Sequence, residues 1–119
     1  MTNPSDTAEA LFIYECQRRG ISCSKPFSQS LPYDVVIDHN RSLKKIQIKS
    51  TVSRKDNRVQ LRQGRTNKKR YDKRDIDFFA CYSFAIDEWM IIPSSTSNAT
   101  VTFSKANKLK YKSWDRLMN

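Results

Sequence analysis

The chain has 119 residues, 38% apolar with 13 aromatics, and a net charge of +10 from 22 basic and 12 acidic residues. That size suits one domain over residues 1–119 with a real core, and the composition is not that of a disordered chain. Cys16, Cys23 and Cys81 are odd in number and make no C-x-x-C pair, which argues against a zinc site or a disulfide framework and for a reduced cytoplasm.

The first element in chain order is a helix over DTAEALFIYECQRRG, with Asp6 as N-cap, Arg18 and Arg19 in the last turn and Gly20 as the stop. The opening MTNPSDTAEA carries neither the basic nor the apolar region of a signal peptide. ISCSKPF holds a short first strand, and Ser24 lies within reach of any site built next to it. YDVVID and LKKIQIKST read as strands joined by the polar turn HNRS. RVQLRQ is a further strand, and GRTNKKRYDKRDI is a mobile basic stretch. DFFACYSFAIDEWMIIP gives two buried strands with a turn near Ala85–Glu88. Its aromatics Phe78, Phe79, Tyr82, Phe84 and Trp89 are assigned to the core. SSTSNATVTFS is a loop with an edge strand, and KANKLKYKSWDRLMN a weakly helical basic tail. A helix followed by adjacent strands predicts an α/β domain with a mixed sheet. No apolar run approaches the roughly 18 residues of a membrane span, so no membrane partner is expected.

The positive charge is concentrated. Between Arg41 and Arg74 stand 14 Lys or Arg against Asp56 and Asp72, so that segment carries +12 while the other 85 residues sum to −2. A stripe of this kind is the footprint of a polyanion, and RQGRTNKKRYDKR lacks the apolar face a membrane helix needs. Arg54, Lys55, Arg58, Arg62, Arg65, Lys68, Lys69, Arg70, Lys73 and Arg74 are the expected contacts to nucleic acid, the bland alternative being a solubilising basic loop.

The hairpin YDVVIDHNRSLKKIQIKST carries the chemistry. Strand residues alternate faces, so Ile46 and Ile48 seal the core while Gln47 and Lys49 share the other side with Asp34. Asp38, four residues on, is roughly 13 Å away along an extended strand, too far to share a metal with Asp34. Hydrolysis of a phosphodiester needs charge offset on the phosphate and an activated water, and a divalent metal on oxygen ligands supplies both. Asp34 is the acid and Gln47 a second oxygen donor. The Ile48 backbone carbonyl is a further ligand, and Lys49 orients the water or offsets charge. The bland alternative is a solvated amphipathic hairpin, since D-x(12)-Q-x-K arises often by chance.

The order of helix glutamate, YDVVID, IQIKST and YDKRDIDFFACY resembles the PD-(D/E)XK nuclease superfamily, and more narrowly the small endonucleases of cyanobacterial group I introns. The resemblance runs from about Ala8 to Pro93. It implies a restriction-endonuclease-like mixed central sheet flanked by helices, with a Mg²⁺- or Mn²⁺-dependent site that cleaves DNA. It assigns Asp34 as the motif aspartate, Lys49 as the motif lysine and Glu9 as the helix glutamate, acting on the metal through a water. Gln47 stands where the family usually has an acid, a variation known in this subgroup. Without the resemblance, Glu9 reads equally well as half of a capping box with Asp6. Glu15 has Arg19 at i+4 for an ordinary ion pair. Asp72, Asp75 and Asp77 read as caps or lysine partners, and His39 as a turn residue.

The expectation is a metal-dependent endodeoxyribonuclease making site-specific double-strand breaks of the homing type, as a homodimer or tetramer. The rival functions are a Holliday-junction resolving or repair nuclease, and a non-catalytic nucleic-acid-binding protein on a nuclease fold.

Overall fold

A computed structural model describes residues 3–61 and 75–119. Helix α1 (Pro4–Arg18) precedes strands β1 (Ser22–Ser24), β2 (Val35–His39), β3 (Ser42–Thr51) and β4 (Arg58–Gln60). Strands β5 (Phe78–Ser83), β6 (Glu88–Pro93) and β7 (Thr100–Thr102) follow, then α2 (Lys105–Lys110) and a 3-10 turn (Trp114–Leu117). The main sheet has the order β1-β2-β3-β5-β6, with β3 parallel to β5 and the other neighbours antiparallel. This is the mixed α/β architecture that the sequence predicts.

The helix starts earlier than the sequence suggests. Asn3, not Asp6, is the N-cap, its side chain accepting from the Ser5 N–H at 2.8 Å, and Pro4 occupies the first helical position. Proline fits there because its missing N–H is an orphan donor in any case. Asp6 lies in the first turn, so no capping box with Glu9 forms. Gly20 stops the helix with φ +70°. The Ile21 N–H reaches the Cys16 carbonyl at 2.8 Å and the Gly20 N–H reaches the Gln17 carbonyl at 3.2 Å, a Schellman closure. The β2–β3 turn is tighter than HNRS implied: His39 pairs with Ser42, leaving Asn40 and Arg41 at φ 51° and 66°. Positive φ at both residues marks the type I′ turn that matches strand twist.

Both faces of the sheet are covered. On one side Phe12 and Cys16 of α1 pack on Val35, Ile37 and Ile46. Trp114 and Leu117 join this core, with Trp114 stacked on Phe12 at 5.5 Å between ring centres. The supposed basic tail therefore closes the core, because a 3-10 turn brings its two large apolar side chains to one side. Fully burying a side chain of Phe size is worth about 1.5–3 kcal/mol. On the other side Phe79, Cys81 and Met90 meet Val59, Val101 and Phe103. Val59 and Val101 come from a separate ribbon of β4 and β7, so the expected edge strand pairs with β4 and not with the main sheet. Strand β4 ends at Gln60, short of the predicted RVQLRQ. No described helix is long and apolar enough to cross a membrane.

Candidate active site

The cleft is built where two strands part. Strand β2 pairs with β3 from His39↔Ser42 as far as Val35↔Ile46, whereas β3 runs on to Thr51. One residue before β2, the Asp34 N–H donates to the Ile46 carbonyl at 2.8 Å. The next free position on that side of β3 is filled by a side chain: the Ile48 N–H donates to Asp34 Oδ2, also at 2.8 Å. The carboxylate thus ends the β2 ladder and is fixed to the backbone of the residue between Gln47 and Lys49.

Beyond this cap lies a cleft of about 350 Å³ lined by Asp34, Gln47, Ile48, Lys49, Asp6 and Glu9, among others. Ile46 and Ile48 pack on the α1 side of the sheet, as alternation requires. Gln47 and Lys49 pair in register with Phe79 and Cys81 of the opposite core. Their face is therefore not a solvated one; the β4–β7 ribbon and its neighbours cover part of it. Asp38, at Ser22 and Leu43, is outside the cleft, and so is Ser24.

Burial sets the electrostatics. It holds the Asp34 carboxyl above its usual range, and Glu9 adds to the rise. The Ile48 N–H, Lys49 and Lys25 pull the other way. Burial also lowers the pKa of Lys49, against the opposing pull of Asp34 and Cys81. Acid and base each hold their charge at a cost, which is common at reactive sites.

Glu9 reaches the cleft from α1, and its carboxylate lies 3.0 Å from Lys25 Nζ. Sequence reading missed Lys25. Its signal was a lone cation in SKPF just after the first strand, which periodicity does not mark. Glu15 instead pairs with Arg18 at 3.0 Å and with Arg19, on the exposed flank. Asp77 is neither helix cap nor lysine partner. Its Oδ2 accepts from the Lys45 N–H at 2.8 Å, and its own N–H donates to the Lys45 carbonyl, tying β5 to β3. His39 ends β2, away from the cleft.

Among the expected DNA contacts, Arg54, Lys55 and Arg58 are exposed around the start of β4. Arg62, Arg65, Lys68, Lys69, Arg70, Lys73 and Arg74 lie outside the described residues, as does Asp72. Among the described residues, no three His, Cys, Asp or Glu side chains gather as a ready-made metal site. A metal here would draw on neutral oxygens as well as carboxylates.

The model of the PD-(D/E)XK endonuclease family matches residues 2–114. The chain belongs to this family. Among solved structures, a bacterial homing endonuclease, I-Ssp6803I, matches with a TM-score of 0.76 and 25% identity, over 91% of this chain and 85% of that one. No curated protein matches. Membership makes this PD-(D/E)XK protein a nuclease of the endonuclease type, on a fold shared with a homing enzyme.

Proposed function

We propose that the chain is a metal-dependent DNA endonuclease that makes site-specific double-strand breaks, as homing enzymes do. The observation that carries this reading is the convergence of Asp34, Glu9, Gln47 and Lys49 on the notch beside Ile48. The donors fit a hard divalent cation, Mg²⁺ or Mn²⁺, because all are oxygens: two carboxylates, an amide and a backbone carbonyl. The Ile46 carbonyl and the Ile48 N–H both serve the β2 side, and strand geometry turns the Ile48 carbonyl the same way.

Asp34, Gln47 and the Ile48 carbonyl would hold the metal directly, and Glu9 through a water. When bound, such an ion polarises a phosphoryl oxygen and lowers the pKa of water. Lys49 has a separate task. Poorly solvated, its ammonium interacts strongly with a phosphate, offsets the charge that grows there and orients the incoming water. Asp34 positions this pair, since its link to the Ile48 N–H fixes the backbone between Gln47 and Lys49. DNA as substrate is supported by the +12 segment from Arg41 to Arg74 and by the likeness to a homing enzyme. Cutting both strands needs two such clefts, hence a dimer or a dimer of dimers.

The test is plasmid DNA with Mg²⁺, with and without EDTA. Discrete fragments that vanish with EDTA are expected. Cleavage confined to branched DNA would reassign the protein to junction resolution or repair. Binding without cleavage would make it a non-catalytic binder.

A further inference from the structure

A second cleft, of about 370 Å³, adjoins the first and shares Asp6, Glu9 and Asp34 with it. Its outer wall is the connection between β1 and β2, including Lys25, Phe27, Gln29 and Tyr33. The Lys25–Glu9 contact at 3.0 Å ties this wall to α1 at the boundary of the two clefts. Phe27 is fully exposed, at 105% of its reference area, and Leu31 is 40% exposed. Neither belongs to either core. A phenylalanine left wholly in water forgoes about 1.5–3 kcal/mol of burial. Single exposed apolar residues are ordinary; this one stands on the wall of a cleft that opens into the acidic notch.

We infer that Phe27 is a positioning residue that stacks on a nucleobase beside the scissile phosphate. The inference rests on the phosphodiesterase reading above. A strand whose phosphate sits at Asp34 must continue through one of the openings of the notch. The second cleft is such an opening, and it offers what a nucleotide needs. Gln29 offers amide hydrogen bonds, and the Phe27 ring faces a base. In a duplex the ring acts as a wedge at an opened base step, and because every base has a π-face it sets the strand's position without demanding a sequence. Of the acids on the shared wall, Glu9 is paired with Lys25 and Asp34 is bonded to the Ile48 N–H, which leaves Asp6, in the first turn of α1, for the strand to pass. The alternative occupant, a second copy of this chain, finds in Phe27 and Leu31 too small an apolar surface for a stable interface.

The experiment uses Phe27→Ala and Phe27→Trp in the full chain with Ca²⁺ and a mixed-sequence 40-base-pair duplex. Phe27 belongs to neither core, so both variants fold. Binding is followed by anisotropy of a labelled duplex, and the Phe27→Trp emission is compared with the wild-type signal of Trp89 and Trp114. Duplex is expected to quench the new tryptophan. Phe27→Ala should bind about fivefold more weakly, the lower end of the range for one stacked base because opening the step offsets part of the gain, and Phe27→Trp near wild type. Saturating duplex that leaves the new tryptophan unchanged would overturn the inference, and so would undiminished binding by Phe27→Ala. An emission that depends on protein concentration without DNA would assign Phe27 to a contact between copies. Failure of the endonuclease reading is a separate result: wild type that cuts no plasmid in Mg²⁺.

Discussion

The Lys25 ammonium lies 3.0 Å from the carboxylate of Glu9 and holds the acid that faces the cleft. A cation entering the notch competes with that ammonium for the same oxygens. Lys25→Met therefore frees Glu9, and divalent or lanthanide binding should tighten. The pair is well exposed on the lysine side, so the gain is modest, up to about fivefold. A Tb³⁺ luminescence titration of the DNA-free protein measures it. Equal or weaker binding by the variant would mean that Lys25 does not compete for Glu9.

Asp34→Asn keeps an oxygen for the Ile48 N–H but removes the anionic ligand. Cleavage should fall by about 10²-fold or more, with DNA affinity little changed. The sign of the pH effect follows from burial. Asp34 holds its proton above the ordinary carboxylate range, so its stabilising contribution is complete at low pH and is lost as pH rises through the folded value. Lys49, with a lowered pKa, contributes above its unfolded value and loses that contribution as pH falls through the folded one. At neutral pH both charges therefore weigh against the metal-free fold. The double variant Asp34→Asn, Lys49→Met should melt a few degrees higher than wild type in EDTA, at roughly 4 °C for each ~1 kcal/mol. Mg²⁺ should raise the melting temperature of wild type alone. Calorimetry across pH 5–9 with and without Mg²⁺ decides both points, and a lower-melting double variant would contradict the burial argument.

Gln47→Glu replaces a dipole with a charge in the same place. Hard cations favour anionic oxygen, so the Mg²⁺ concentration for half-maximal cleavage should drop. The turnover is not constrained in sign, because added negative charge also repels the scissile phosphate. Gln47→Leu offers no oxygen and should need far more metal. Wild-type cleavage by Gln47→Leu across a Mg²⁺ titration would remove Gln47 from the ligand set.

DNA binding should weaken steeply with salt. If about six phosphates are neutralised per protomer, log Kd against log salt has a slope of magnitude near 5. Charge reversal at Arg65, Lys68, Lys69 and Arg70 should flatten it by roughly 0.9 per lost contact. A wild-type slope shallower than about 2 would leave the basic segment without its assigned role.

The cleaving species should be a dimer or tetramer. One cleft serves one strand, and a single module of this size covers only about 600–1,000 Å² of DNA-facing surface. Sedimentation at cleavage concentrations, with and without duplex, reads the state. An active monomer that stays monomeric on DNA would refute the two-cleft arrangement.

Much of the fold was legible because period and punctuation agreed. Ile46 and Ile48 against Gln47 and Lys49 gave the faces of β3, and Gly20 marked the helix end. Asp34 was readable as an acid near Gln47 and Lys49, but its bond to the Ile48 N–H depends on where β2 stops, which alternation does not encode. The helix start was misread because Asp6 and Asn3 are both good caps, and Pro4 decided between them. The β4–β7 ribbon and the burial of Trp114 and Leu117 depend on contacts distant in sequence. Lys25 and Phe27 stand in an irregular segment without periodicity, so only the folded chain places them beside the cleft.

Strand β3 carries Gln47 and Lys49, yet its second half is held on one side by β5 alone, with Ile46 opposite Phe78 some 32 positions later. A parallel pairing over that distance must close a long loop before any contact rewards it, so it forms late in folding. All the side chains of the notch leave the ribosome well before β5 does. Until β5 arrives, the β2–β3 hairpin holds the Gln47–Lys49 stretch from one side only, and its other edge stays open. Nuclease activity would then appear only after residues 78–83 have been made and docked: the side chains of the notch exist early, but their alignment waits for a pairing across a long loop.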